Sequence, residues 1–355
     1  MGATWVGGGR LRMDWRKALA VLQRYQLPDP AAFLLPWARC AVLSGAAAIE
    51  AAADGSEVRL RFGGKPFLAE QFGDPFRAWA EGRDADGRLE QVLVGALGAF
   101  RLGPRAVEVR SGAPGERFRF SSAGPGKSGL VAEADGEGTV LSVAFPDGAW
   151  ERPRECAARL REACALLDVP LAFRGLPEEP LAPEGLRLDW REEGRRGFVA
   201  LPRRLDLPAS EVALSQLGVQ VAAVSRRLPF AQVDAGVNCD AFRLNVSRAG
   251  VLEGPELATA LESVERQVES LLLEGCRRSG DILASAGEYG DWEPALRWLW
   301  AAAERAFSAG PGGLEHPVRR ALWESRLFLG VSGKALSLKC LADQLPYVGC
   351  VPIAR

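Results

Sequence analysis

The sequence predicts an α+β protein: a helix layer on an antiparallel sheet, then an α/β module and a helical, mixed C-terminal part. In the first 149 residues, apolar helical stretches precede short alternating strands that are joined by glycine-rich turns. Helix and strand patterns then mix from about 150 to 275. The segment FRLNVSR (242–248) alternates apolar and polar residues before an amphipathic run at 257–273, which predicts a half-buried strand and then a helix.

Helices open the first module. A first helix is predicted at 15–25, and Asp29 with Pro30 predicts a capped start for a long apolar helix from Ala31 to about Ala53. The remaining residues predict strands at 58–62, 106–112, 117–122 and 138–145, a short helix at 75–80, and an apolar, glycine-rich stretch at 89–100. Together these elements predict a helix/antiparallel-sheet sandwich.

The second module begins with a helix predicted at 152–167, which leads into a strand at 170–175. Further strands are predicted around FVALP, EVALSQLGVQVAAVS and FAQVD, and residues 271–307 are predicted to be helical. The segment 327–351 combines strand and helix signals. We therefore predict domains at 1–149, 150–275 and 276–355.

Composition limits the function classes. The chain of 355 residues has a formal net charge of −1, so no general attraction to nucleic acid is expected. One histidine and seven scattered cysteines without a C-x-x-C pair do not favour zinc, and we predict no metal site. No apolar run approaches twenty residues and the N-terminus lacks an apolar signal core, so we expect no membrane segment and a cytoplasmic location.

A glycine-rich segment, Gly124-Pro-Gly-Lys-Ser-Gly129, has some features of a phosphate loop. The G-x4-G-K-S spacing requires a glycine at position 121, which is serine, and no apolar helix follows the lysine. The segment therefore predicts the loop of a β-hairpin.

The segment VDAGVNCDAFRLNVSR (233–248), with the helix after it, resembles the middle domain of the heat-shock protein 90 chaperones. That resemblance implies a ribosomal-S5-like α/β module. It also implies that Arg248, supported by Asn245, reaches the terminal phosphate of a nucleotide bound to the first module. The alternative is that Arg248 pairs with a nearby carboxylate, because a guanidinium suits either kind of anion. If no nucleotide binds, we expect Glu90 or Asp240 to be that partner.

The first module resembles the GHKL ATPase domain of the same chaperones. In that family a long helix carries a general-base Glu, then a magnesium-holding Asn and an Asp. In this chain Cys40, Ser44 and Ala47 occupy those three positions. A thiol cannot replace the carboxylate base, and a serine hydroxyl is a weak magnesium ligand. The strand VRLRF is followed by GGKPF, without the Asp that the family presents to adenine.

The family's glycine-rich phosphate segment is matched by LEQVLVGALGAF (89–100), around Gln91, Gly95, Ala99 and Phe100. Glu90 and Leu93 replace two of its glycines, and a carboxylate at Glu90 would repel a phosphate. The family's late Gly-Thr pair is kept. If a nucleotide binds, the resemblance implies contacts from Ser44, Gly95, Gly138 and Thr139. We expect no cofactor, although ATP with Mg²⁺ is what the family would imply.

Three functions remain open on these residues. We expect a chaperone-like protein that binds a protein client or partner subunit without ATP turnover, a pseudo-ATPase. The first alternative is an active ATP-dependent chaperone whose catalytic carboxylate comes from Glu50, Glu70 or Asp74. Glu50 is poorly placed, because ten residues of helix put it about 80° away from the face of Cys40. The second alternative is a structural or regulatory subunit of a larger assembly.

Overall fold

A computed structural model describes residues 21, 27–80, 86–124, 127–133, 136–149, 151–175, 185–205, 208–245, 247–286, 293–308, 313–329 and 333–348. The chain is α+β, as the sequence predicts, and forms two compact units. The first contains residues 1–178 and 245–249, and the second contains 179–244 and 250–355. None of the described helices is both long and apolar enough to cross a bilayer.

The first unit is a sheet covered by helices. Two short 3₁₀ helices, Pro30–Phe33 and Ala69–Phe72, accompany its regular elements. Its helices are α1 (Leu34–Leu43), α2 (Pro75–Ala80), α3 (Arg88–Phe100) and α4 (Glu151–Ala163). Its strands are β1 (Ile49–Asp54), β2 (Glu57–Phe62), β3 (Ala106–Ser111), β4 (Phe118–Ser122), β5 (Ser128–Ala132), β6 (Thr139–Ala144) and β7 (Leu171–Arg174).

The seven strands lie in the order β5-β4-β3-β6-β2-β1-β7, and every neighbouring pair is antiparallel except β1 with β7. Alternate residues are buried along β2, β3 and β4, so one face of the sheet is apolar. Helices α1 and α4 pack on β2, and α3 packs on β3 and on α1. This packing buries the core of the unit between one sheet face and the helix layer.

The second unit contains a five-stranded mixed sheet, a two-stranded sheet and several helices. The five-stranded sheet has the order β11-β10-β12-β9-β8, with β10 parallel to β12, and the long helix α5 packs on β8, β9 and β12. The strands are β8 (Arg187–Glu192), β9 (Arg195–Ala200), β10 (Ser210–Gln216), β11 (Val219–Arg226), β12 (Asp234–Cys239), β13 (Arg326–Leu329) and β14 (Ala335–Ser337). The helices are α5 (Pro255–Arg277), α6 (Ser279–Ala286), α7 (Glu293–Phe307), α8 (Pro317–Glu324) and α9 (Leu338–Val348).

The predicted helix from Ala31 to Ala53 is wrong beyond Leu43. Its start is confirmed, since the Asp29 side chain accepts a hydrogen bond from the Ala31 N–H and Pro30 follows. The helix stops because Ser44 caps it and Gly45 takes a left-handed φ of 71°. Residues 49–54 instead form β1, which is bonded to β2 on one side and to β7 on the other. The predicted helix at 15–25 lies outside the described residues except for position 21.

The predicted strand at 242–248 is also wrong. Within it, Leu244 makes an isolated antiparallel bridge with Val251, and residues 247–250 form a turn and bend. The Asn245 carbonyl and side chain accept hydrogen bonds from the Arg248 and Ala249 N–H groups, respectively. These local bonds replace a strand ladder. As a result Arg248 lies in a turn with a φ of 54°, not at a strand end.

The predicted boundary near residue 149 falls just before α4. In the structure α4 and β7 cluster with the first unit, because β7 pairs with β1 and α4 packs on β1 and β2. The strands predicted at 58–62, 106–112, 117–122 and 138–145 are confirmed as β2, β3, β4 and β6. The hairpin predicted across Gly124 is confirmed by the antiparallel pairing of β4 with β5.

Candidate functional site

The resemblance to a nucleotide-binding family selects residues that all belong to the first unit. They lie on or directly beside α1, α3 and β6, and in the turn at 245–249. Helix α1 packs directly against α3. Trp37 of α1 is fully buried, and its indole N–H donates to the Val92 carbonyl of α3 at 3.0 Å. Phe33 packs edge-to-face on Trp37 with ring centroids 5.2 Å apart. The space between the two helices is therefore filled by aromatic side chains.

Gly95 of α3 allows this close approach. A Cβ atom at position 95 would lie 2.3 Å from Trp37 Nε1 and 2.7 Å from the Phe33 carbonyl oxygen. Such distances are far inside van der Waals contact, so only glycine fits. Helix packing is therefore a sufficient physical reason for this glycine.

The segment matched to the family's phosphate loop is a continuous helix from Arg88 to Phe100. Its interior N–H groups donate to carbonyls one turn earlier, as in any α-helix. At its start, the Arg88 N–H donates to the Asp86 carboxylate at 3.2 Å, and the Gln91 N–H to the Gly87 carbonyl. These backbone donors are consequently engaged within the protein.

Ser44 and Cys40 are joined by a hydrogen bond at the end of α1. The Ser44 hydroxyl donates to the Cys40 carbonyl at 2.8 Å, and both residues are buried. The Ser44 carbonyl accepts the Lys65 N–H, and a Cβ at Gly64 would lie 2.1 Å from that carbonyl oxygen. The backbone of residues 64–65 thus packs closely against Ser44, the residue that the resemblance would make a magnesium ligand.

Gly138 immediately precedes β6 and Thr139 begins the strand, beside an aromatic cluster. Gly138 has a φ of 67°, and a Cβ there would lie 2.5 Å from the Phe62 carbonyl oxygen. The Thr139 and Ser111 hydroxyl oxygens are hydrogen-bonded at 2.8 Å, and Ser111 Oγ also accepts the Phe67 N–H at 3.0 Å. The rings packed beside this network belong to Phe67, Phe72, Phe118 and Phe120. The Thr139 hydroxyl therefore has a structural partner.

Arg248 pairs with Glu90, one of the two acids expected from the sequence. The Arg248 guanidinium donates to the Glu90 carboxylate at 2.5 Å, and the two side chains are 24% and 27% exposed. The Trp79 indole N–H also donates to Glu90, at 3.3 Å. Asp240, the other acid considered, instead accepts bonds from the Leu217 N–H and the Asn238 side chain.

Arg39 is a charged residue that sequence reasoning missed. It is 2% exposed on α1, next to Cys40. Burial, followed by the positive charge of Arg248, lowers the pKa of Arg39 from its ordinary value to about 10, while Cys164 acts in the opposite direction. The positive charge of Arg248 thus acts on the buried guanidinium of Arg39 within the first unit. An arginine inside the apolar stretch AAFLLPWARCAVL was the available sequence signal.

The alternative catalytic carboxylates lie elsewhere in the first unit. Glu50 of β1 alternates with the buried Ile49 and Ala51, so it faces the sheet surface opposite the core, and it pairs with Arg174 at 3.1 Å. The Asp74 side chain accepts the Arg77 N–H at the start of α2. Glu70 lines a cleft of about 640 Å³ near β5, which Cys40 and Ser44 do not line. The structure does not bring these acids to α1.

In the part of the chain that is described, no three His, Cys, Asp or Glu side chains form a group that could hold a metal ion. Three described cysteines, Cys156, Cys164 and Cys276, are buried, and burial raises their pKa values to about 12, 12 and 11.

Comparison with protein-family models finds no match to this chain, and comparison with curated proteins finds none either.

Proposed function

We propose that this protein is a chaperone-like, nucleotide-independent binding protein that resembles heat-shock protein 90. In this proposal the first unit is a degenerate GHKL-type domain and the second is an S5-like module. A protein client or a partner subunit is bound without ATP turnover. The observation that carries the proposal is the direct packing of α1 on α3, with Gly95 against Trp37.

Three physical reasons support the loss of ATP chemistry. Loss of a general base alone typically removes about 10²–10⁴-fold in rate, and Cys40 occupies that position. The backbone N–H groups of a continuous helix cannot turn toward phosphate oxygens. The Arg248 guanidinium, which the resemblance assigns to a terminal phosphate, donates a hydrogen bond to the Glu90 carboxylate instead. A phosphate approaching this pair would meet a carboxylate of the same charge sign.

Calorimetric titration of the full chain with magnesium-ATP tests the nucleotide part of the proposal. We expect no saturable heat at millimolar nucleotide. A dissociation constant in the low micromolar range would defeat the pseudo-ATPase assignment. If turnover is measurable and Glu70→Gln abolishes it, the alternative of an ATPase with a non-standard carboxylate is correct.

Suppression of aggregation tests the binding part. The full chain is mixed with a thermally unfolding model protein, and light scattering is followed with and without magnesium-ATP. We expect scattering to fall in proportion to the added chain, to the same extent with and without nucleotide. Unchanged scattering at stoichiometric excess counts against a chaperone-like role and favours a subunit dedicated to one partner.

A further inference from the structure

Strand β5 is an edge strand of the described sheet, and all five of its residues are exposed. The strand, Ser-Gly-Leu-Val-Ala, contains no charged residue and no proline, and its register with β4 has no bulge. Leu130 and Val131 are 39% and 50% exposed. Edge strands of natural proteins normally carry a protecting charge, proline or bulge that prevents pairing with another chain. Within its five residues β5 lacks all three.

The register fixes which backbone groups of β5 are directed outward. The Glu133 N–H donates to the Arg117 carbonyl at 2.9 Å and the Ala123 N–H to the Lys127 carbonyl at 3.1 Å. Hydrogen-bonded positions alternate along an antiparallel pair, so positions 127, 129, 131 and 133 bond to β4. The N–H and C=O groups directed away from β4 are therefore those of Ser128, Leu130 and Ala132.

A cleft of about 640 Å³ lies along this edge. Its apolar lining includes Leu68 and Leu130, which are 48% and 39% exposed. Its charged lining residues are Glu70, Glu116, Glu133 and Arg117, three acids to one base. Glu133 already has Arg110 at 3.8 Å, and no described residue forms an ion pair with Glu70 or Glu116. The cleft therefore favours a basic occupant with an aliphatic stem.

We propose that β5 binds an extended basic segment of another protein as an added strand. The outward backbone groups supply the hydrogen bonds of strand addition. Side chains of the added strand face the cleft at every second position. Lysine or arginine at those positions would lay its methylene stem on Leu68 and Leu130 and bring its charge to Glu70 and Glu116. This inference goes beyond the proposed function and does not depend on whether nucleotide binds.

A pair of labelled heptapeptides tests the proposal by fluorescence anisotropy with the full chain. One alternates threonine and lysine, and its twin carries glutamate in place of lysine. We expect saturable binding of the lysine peptide and none of the glutamate peptide. Equal binding of the two peptides, or no binding of the lysine peptide, would overturn the proposal.

Three variants separate the edge from the cleft. Leu130→Pro removes an outward N–H and leaves the bonds to β4 intact, so binding should weaken about tenfold. The double variant Glu70→Gln/Glu116→Gln should weaken binding about fivefold, as expected for the loss of two ion pairs at exposed glutamates. Its control, Glu151→Gln/Glu155→Gln, makes the same charge change at exposed positions of α4 and should have no effect.

Circular dichroism checks that each variant folds. If Leu130→Pro does not fold, the binding of the lysine peptide to the Glu70→Gln/Glu116→Gln variant tests the proposal. Unchanged binding in the Glu70→Gln/Glu116→Gln variant would overturn the cleft's role. Sedimentation equilibrium gives a further outcome. A dimer of the unmodified chain that is lost in Leu130→Pro would assign the edge to a second copy and overturn the basic-segment proposal.

Discussion

At the residue scale, Arg248 shows how a charged side chain in a turn acquires a partner. Its backbone is held by Asn245, whose carbonyl and side-chain oxygens accept N–H groups of the turn. Its guanidinium then meets Glu90 at 2.5 Å in a half-buried position. Because the pair is partly shielded from water, breaking it leaves an incompletely solvated carboxylate, and this penalty exceeds that of a fully exposed pair.

Replacing Arg248 by alanine should therefore destabilise the protein. We expect the free energy of unfolding to fall by about 1–2 kcal/mol. Arg243→Ala removes an exposed arginine from the same segment and should stay within about 0.5 kcal/mol of the parent. Denaturant unfolding of Arg248→Ala, Glu90→Ala and the double variant measures the coupling between the two side chains. A coupling near zero would show that the ion pair does not stabilise the protein.

At the element scale, the glycines of α3 are compatible with two roles, phosphate binding and close helix packing, which a sequence pattern cannot separate. The same residues that suggest a phosphate segment also suit a helix packed closely on an aromatic neighbour. Gly95 lies against Trp37, and a Cβ at Gly98 would lie 2.9 Å from Leu27 Cδ1. Isolated helical glycines are unfavourable by about 1 kcal/mol relative to alanine. Close contact with α1 gives a reason to keep glycine despite that cost.

Gly95→Ala should consequently be destabilising although alanine favours helices. Overpacking typically costs about 1–3 kcal/mol, which exceeds the propensity gain. Gly280→Ala is the matched control, because a Cβ at that position of α6 meets nothing within 4 Å. We expect that control to be neutral or more stable by up to about 1 kcal/mol. Thermal unfolding distinguishes them, and a stabilised Gly95→Ala would contradict the packing described for α1 and α3.

At the scale of the whole molecule, each unit contains a carboxylate held in its charged form. Burial would raise the pKa of Asp86, but hydrogen bonds from Arg88 and Lys65 outweigh it and hold the pKa below 3.8. Burial would likewise raise the pKa of Glu192, but bonds from Ser263 and Arg266 hold it below 4.5. Both groups bind a proton less readily in the folded chain than in the unfolded chain.

Stability should therefore depend on pH in the acid range. The contribution of these carboxylates is complete above their unfolded pKa values and is lost as the pH falls through the lower folded values. Asp86→Asn and Glu192→Gln should each make the melting temperature less sensitive to pH below about 4.5. Melting curves from pH 7 to pH 3 provide the measurement. Parallel pH profiles for the parent and both variants would contradict this assignment.

Local patterns in the sequence determined much of the fold. Strict alternation predicted β2 and β4, and apolar helical spacing predicted the amphipathic helix α5. The helix cap at Asp29 was predicted from the chemistry of its side chain and the proline that follows it. The hairpin across Gly124 was predicted from the turn residues of its loop. A carboxylate partner for Arg248 was also expected from the sequence, with Glu90 and Asp240 as the two candidates, and the structure pairs it with Glu90.

Tertiary structure decided the features that depend on distant partners. Residues 49–54 are alanine-rich and compatible with a helix, yet β2 and β7 supply backbone bonds on both sides and make them a strand. The turn at Arg248 required the Asn245 side chain to bond locally, which alternation alone does not reveal. The role of Gly95 depended on Trp37, which lies 58 positions earlier in the chain. Such contacts join residues far apart in sequence, so short-range periodicity cannot specify them.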